Sequence, residues 1–181
     1  MFMPPKIQAE GGLILHKPQE ADAEELVDSI LSSEAALSPW MVWLTPGYCV
    51  DDGLAWIRQV EDRWDDGRNF AYLIRSPKEQ VVLGSVDIHH IDKQNLVGCL
   101  GYWMRSDQAG KGIAPRAARA LTAAAFQYAG LARIELIMAV DNLRSQMVAE
   151  KLGATREAVL KNRIRTPNGQ QDGIVFALFP E

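Results

Sequence analysis

Residue type and spacing first point to chemistry in Gly110-Lys111-Gly112-Ile113-Ala114. Two glycines around one residue let the backbone run close to an anion. A helix starting just beyond them offers unpaired N–H groups and the positive end of its dipole. The amides from Ala109 to Ala114 therefore make a cradle for phosphate in which side-chain identity matters little. Lys111 either adds a screened charge contact or is a solvated surface lysine. A Walker-type loop needs GxxxxGK[ST], which this stretch lacks, and a dinucleotide fingerprint needs a third glycine or alanine where Pro115 stands. Glu135 lies at the distance of a ribose-binding acid, but it falls early in its strand and no βαβ unit precedes the turn.

The elements around the cradle follow from periodicity. An extended run, Leu96 to Met104, leads into it. A helix from Gly112 to Ala129 leaves it, with Ala114, Ala117, Ala118, Leu121, Ala125 and Tyr128 as its buried stripe and Gly130 as its stop. Arg133 to Val140 is the next strand, and Asn142 caps a short helix ending at Leu152-Gly153. Ala154 to Asn162 and Gln171 to Phe179 make a hairpin around Thr166-Pro167-Asn168-Gly169. Upstream, Leu13 to His16 is a strand and Ala21 to Ser33 a helix with Leu26, Val27, Ile30 and Leu31 on one face. Ser38 to Gly47 carries too many breakers for a helix and reads as a packed loop. Asp51 to about Asp66 is a second helix, with Leu54, Ile57, Val60 and Trp64 inward. Phe70 to Arg75, Val81 to Ile91 and Leu96 to Met104 form an antiparallel meander through turns at Ser76-Pro77-Lys78-Glu79 and Asp92-Lys93-Gln94-Asn95.

The 181 residues, 48% of them hydrophobic, suffice for one well-buried domain, residues 1–181, and not for two. Nineteen basic and 23 acidic side chains leave a net charge of −4, which implies no general attraction to nucleic acid or anionic membrane. Cys49 and Cys99 are far apart and lack metal-ligand or disulfide spacing, so no metal is expected. The N-terminus has no secretory pattern, and no apolar run approaches the roughly 20 residues that span a bilayer. A cytoplasmic protein acting on a small molecule or a protein is the expectation.

Strand, glycine turn, Ala-rich helix, strand and Asn-capped helix together resemble the GNAT superfamily of acetyl-CoA-dependent N-acetyltransferases over nearly the whole chain. The matching motifs are Gly101-Tyr102-Trp103-Met104, Gly110-Lys111-Gly112-Ile113-Ala114, Val140-Asp141-Asn142-Leu143-Arg144-Ser145 and Lys151-Leu152-Gly153-Ala154. The Gly-Tyr-Trp lead-in and the Asp-Asn-x-x-Ser cap look like the RimJ/RimL branch, which acetylates N-terminal amines of ribosomal proteins. The resemblance implies an α/β (α+β) fold: a mixed sheet of about seven strands, splayed between two central parallel strands, with about four flanking helices. One departure is visible. The family's glutamine or arginine position falls on Asp107, with Gln108 one place later, and an aspartate beside a pyrophosphate is mildly unfavourable unless its carboxylate turns away or caps the helix.

The resemblance further implies acetyl-CoA as co-substrate. Its pyrophosphate would lie on Gln108, Ala109, Gly110, Lys111, Gly112, Ile113 and Ala114, and its pantetheine arm would add to the sheet along Trp103, Met104 and Arg105. Trp103 reads equally as a core aromatic. Asn142 would cap its helix and reach the pantetheine amides. Ser145, in the same turn, would protonate or stabilise the departing thiolate, the alternative being an ordinary solvent-facing serine. An α-amine with pKa near 8 is about a fifth neutral around pH 7.4, a cost below about 1 kcal/mol, whereas a lysine near 10.4 costs about 4 kcal/mol, so an α-amine needs little help from a base. Asp87, His89 and His90 on one strand, and Glu135 on another, are the base candidates; Asp87 and His89 share one strand face, the alternative for them being a polar solvent-facing strand side. His90 falls on the opposite face with Ile88, as a core histidine would, and His16 is isolated.

Trp40, Met41, Trp43 and Tyr48 either line an acceptor cleft or simply pack. Arg163 and Arg165 share a strand face and either read an acidic acceptor or are solvated. Three functions remain open: transfer to a protein N-terminal amine, transfer to a small amine (polyamine, amino acid or drug), and acyl-CoA binding without turnover. A homodimer is a family-level expectation.

Overall fold

The computed structural model describes residues 1–76 and 79–180. The strands are β1 (Lys6–Ala9), β2 (Leu13–His16), β3 (Phe70–Ser76), β4 (Glu79–Asp92), β5 (Val97–Met104), β6 (Arg133–Ala139), β7 (Thr155–Thr166) and β8 (Gly169–Leu178). The helices are α1 (Ala23–Leu31), α2 (Glu34–Leu37), α3 (Val50–Asp65), α4 (Ile113–Ala124) and α5 (Leu143–Lys151). The strands form one sheet in the order β1-β2-β3-β4-β5-β6-β8-β7, with β5 and β6 its parallel pair. Apolar runs explain why both faces are covered: Phe70 to Ile74 are all fully buried. Tyr72, Ile74, Val86 and Ile88 join the cluster that includes Ala117, Ala118 and Leu121 of α4. Leu73, Val82 and Trp103 join Leu26, Ile30 and Ile57 of α1 and α3.

The parallel pair is short. Val97, Gly98 and Cys99 pair with Arg133, Ile134 and Glu135, and pairing stops there. Beyond it, β5 stays bonded to β4 as far as Met104, while β6 stays bonded to β8 as far as Ala139. Each strand therefore follows a different neighbour and a gap opens between Leu100–Met104 and Leu136–Ala139.

Several expectations are corrected. Among the described residues the sheet has eight strands rather than about seven, because Lys6–Ala9 folds back on β2; four residues alternating polar and apolar carry too little signal. Five α-helices among the described residues replace about four, the extra one being the single turn α2. Tyr128 is exposed and Ala129 buried, because Ala125–Ala129 form a π turn whose extra residue rotates the stripe by one position. Leu31 is likewise exposed. The loop before α3, the meander, the start of α4 and the stop at Gly130 lie where the sequence places them, the helical run continuing past α4 through the π turn; of the Ser76–Glu79 turn, Pro77 and Lys78 lie outside the described residues. Among the described residues, no helix is long and apolar enough to cross a membrane.

His16 takes no part in the central chemistry. Its Nε2 lies 3.2 Å from Asp22, whose other oxygen accepts from Arg75 of β3 at 2.9 Å. Burial would raise the Asp22 pKa, but the Gln19 amide, Arg75 and His16 together hold it below the usual carboxylate value. A depressed carboxylate stabilises the fold at pH above its unfolded value and loses that contribution as pH falls through its folded value. Asp22→Asn is therefore expected to cost about 1–3 kcal/mol near neutrality, with the difference in thermal midpoint from the unaltered protein shrinking on acidification.

Candidate active site

The gap between β5 and β6 is continuous with a cavity of about 1310 Å³, above the about 300–1,000 Å³ of a pocket for one small ligand. It has room for two. Gly110, Gly112 and Ile113 line it, together with Tyr102, Asn142 and Ser145 and with Asp87, His89 and Arg163.

At the cradle, Gly110 and Gly112 have φ of +80° and +70°, and a Cβ on either would meet no atom within 4 Å. The backbone conformation requires glycine there and the space beside it is open. Gly112 is the N-cap of α4, and no side chain caps that end. Arg116 supplies what the sequence did not reveal. Its guanidinium donates to the carbonyls of Gly112 (3.0 Å), Glu10 (3.3 Å) and Lys111 (3.4 Å). Carbonyls held on that side leave the loop's amides for an anion on the other. Arg116→Ala is accordingly expected to weaken coenzyme A binding about tenfold, equivalent to about 1.4 kcal/mol, by calorimetry.

The side chains around the loop account for the departure at Asp107. Arg105 makes a two-pronged pair with it, both bonds 3.0 Å, and holds its carboxyl below the usual value, so the charge is turned to Arg105. Lys111 donates to Gln108 at 3.0 Å, and Gln108 is itself buried.

Strand alternation decides which backbone faces the gap. The Arg105 amide donates to Leu83 of β4 at 2.9 Å, and the register makes Trp103–Ser85 and Gly101–Asp87 equivalent pairs. Trp103 and Arg105 therefore direct their backbone groups to β4, and Tyr102 and Met104 direct theirs into the gap. The Trp103 ring is a core aromatic that also reaches the cavity wall.

Asn142 Oδ1 accepts the Ser145 amide at 3.1 Å, which fixes the start of α5. The Ser145 hydroxyl lies 2.8 Å from the Tyr102 hydroxyl. Burial pushes the Tyr102 phenol up and the Ser145 bond offsets only part of this, so it stays a hydroxyl. In the sequence Tyr102 is one position of the Gly101-Tyr102-Trp103-Met104 motif; in the fold its hydroxyl touches Ser145.

Asp87 and His89 do share a face, with Asp87 Oδ2 2.7 Å from His89 Nδ1. A carboxylate accepts, so Nδ1 carries the hydrogen, and in the neutral ring Nε2 keeps the lone pair. Burial alone would lower the His89 pKa; the Asp87 bond and charge reverse that and leave it raised. Gly101 is needed beside the pair for space: a Cβ there would lie 2.6 Å from Asp87 Oδ1 and 2.9 Å from the His89 ring. Asp87, a catalytic candidate from sequence, is thus hydrogen-bonded to His89.

His90 is not a core histidine. It is exposed, with φ of +48° in a bulge between His89 and Asp92, and that turn brings its ring to 4.7 Å from the His89 ring. Glu135 is paired with Arg133 at 2.8 Å and is not among the residues lining the cavity. Trp40, Met41, Trp43 and Tyr48 do line it, as do Arg163 and Arg165. Trp43 and Tyr48 pack at 5.7 Å, and burial, helped by Asp52, pushes the Tyr48 phenol up to about 12.

Residues 12–155 match the acetyltransferase (GNAT) domain. The chain belongs to the GNAT acetyltransferase family. It is 26% identical over 160 residues to YdaF of Bacillus subtilis, provisionally named a ribosomal N-acetyltransferase, covering 86% of this chain and 84% of that protein. It is 31% identical over 94 residues to the ribosomal-protein-serine acetyltransferase of Escherichia coli, 52% of each chain. Among solved structures, RimL, a ribosomal L7/L12 α-N-protein acetyltransferase in complex with coenzyme A, superposes with a TM-score of 0.90 at 21% identity over 96% of this chain and 97% of that one. That likeness shows the fold. The chain is an acetyltransferase of the GNAT family, with ribosomal-protein acetyltransferases among the proteins it is similar to.

Proposed function

We propose that this GNAT protein transfers the acetyl group of acetyl-CoA directly to the α-amine of a protein N-terminus. The observation that supports it is one cavity walled by three devices: the uncapped start of α4 with its two left-handed glycines, the Tyr102–Ser145 hydroxyl pair, and the Asp87–His89 pair. The cradle suits a pyrophosphate, and the gap with the free backbone of Tyr102 and Met104 suits an amide-bearing arm that adds as a strand.

Bound there, acetyl-CoA supplies an activated acyl thioester. His89 Nε2 takes the proton from the incoming amine while Asp87 holds Nδ1–H. Ser145 holds a proton at Oγ for the departing sulphur, and Tyr102 keeps that hydroxyl in place. Transfer is direct. Cys49 is not among the lining residues, and burial, reinforced by Glu135, pushes the Cys99 thiol up, away from the thiolate a nucleophile needs. The ribosomal-protein names of the relatives favour a protein N-terminus over a small amine.

The test is thiol release from acetyl-CoA with N-terminal peptides, polyamines and small amines, each run beside Ser145→Ala. Release with peptides supports the reading. Release with small amines alone replaces the acceptor class, and tight acetyl-CoA binding with no release across the whole panel contradicts turnover.

A further inference from the structure

His89 and Cys99 face each other across β4 and β5, and the bulge that follows returns His90 to the same side. Two consecutive strand residues normally point to opposite faces, so this clustering depends on the left-handed turn at His90, a conformation that histidine shares with asparagine and aspartate among the non-glycine residues. The outcome is three soft or borderline donors, two imidazoles and one thiol, whose ligating atoms all lie within 4.8 Å of one another. All three line the cavity.

We infer that His89, His90 and Cys99 form a binding site for a thiolate-preferring divalent cation, zinc in the first place, and that occupancy of this site shuts off acetyl transfer. Zinc bonds of about 2.0–2.3 Å in a tetrahedron put neighbouring donors about 3.3–3.8 Å apart. The present spread exceeds that by about 1 Å, within reach of a side-chain rotation by the exposed His90. Asp87 already plays the outer part that metal-bound histidines need, fixing the Nδ1–H of His89 and aiming Nε2 outward. The donor set, imidazole with sulphur, selects zinc or cobalt over magnesium or calcium. Arg163 and Arg63 line the same cavity and oppose a cation there, while Asp87, hydrogen-bonded to His89, and the Cys99 thiolate favour one.

As the metal–sulphur bond forms, the Cys99 S–H bond breaks and its proton leaves to solvent; nothing is oxidised or reduced. The metal also takes the His89 lone pair, and a fourth position is left for water. This part of the inference rests on the proposed role of His89 as the proton acceptor: a histidine bound to zinc cannot take a proton from an amine.

The probe is cobalt added to metal-free protein, read by the near-ultraviolet thiolate-to-cobalt band and the visible absorption of tetrahedral cobalt. One equivalent is expected to produce both. Cys99→Ser is expected to abolish the charge-transfer band and Cys49→Ser to leave it intact. His90→Asn, which tolerates the left-handed turn, is expected to raise the cobalt midpoint at least tenfold. Zinc should displace cobalt and slow transfer at the same midpoint, with product counted by mass, since zinc binds free coenzyme A thiol. Absence of the band, or a band that survives Cys99→Ser, overturns the site. Zinc that displaces cobalt without slowing transfer overturns the inhibition. A band in protein that is inactive toward every amine leaves the site standing and removes the transferase reading; full activity with no band does the reverse.

Discussion

Replacing Ser145 with alanine is expected to lower kcat about 10²-fold, within the range that a positioned proton donor contributes, while the dissociation constant of acetyl-CoA stays within about threefold. The reason is where the hydroxyl sits. Ser145 is held from two sides, its amide on Asn142 and its hydroxyl on Tyr102, and only the hydroxyl is lost in the variant, so the helix cap and the binding backbone survive. Tyr102→Phe separates position from packing. It keeps the ring that sits against the core and removes only the atom 2.8 Å from Ser145, and it should lower kcat about tenfold without moving KM for acetyl-CoA or the thermal midpoint. An ordinary N-terminal serine on α5 would leave kcat unchanged in both variants.

His89→Gln is the second large effect, again about 10²-fold in kcat, and its size should depend on the acceptor. An α-amine is neutral at a cost below about 1 kcal/mol and a lysine at about 4 kcal/mol. Loss of the proton acceptor should therefore penalise lysine side chains and polyamines more than peptide N-termini, and the ratio of the two rates is the readout. Asp87→Asn should produce a smaller loss, about tenfold, because it removes the group that fixes the imidazole and not the imidazole itself. Equal losses of acetyl-CoA affinity and kcat in these variants would mean that the pair supports the β4–β5 wall and takes no part in proton transfer.

Much of this arrangement is legible in the chain before any coordinates. The glycines of the cradle, the cap at Asn142 and the meander announce themselves through backbone requirements that few residues satisfy, and local rules read them directly. Asp87 and His89 fall on one face because strand alternation has a period of two. The same rule fails one residue later at His90, where the bulge is set by the pairing of β4 with β5 and not by any local composition. Tyr128 is missed for a similar reason: the π turn shifts the helix face, and an Ala-rich sequence gives no sign of it. Arg116 and Tyr102 act across sequence separations of 106 and 43 residues, on Glu10 and Ser145 respectively, and no periodicity reports such contacts. Asp107 is out of place beside a phosphate by local rules alone, and its pairing with Arg105 accounts for its charge.

The most direct test of the central claim is a single reaction: acetyl-CoA with a peptide that carries both a free N-terminus and an internal lysine, followed by tandem mass spectrometry of the product. The account predicts one acetyl group, located on the α-nitrogen, formed by the unaltered protein and nearly absent with Ser145→Ala. An acetyl group found on the lysine nitrogen, or none formed under conditions where acetyl-CoA is shown to be bound, would contradict it.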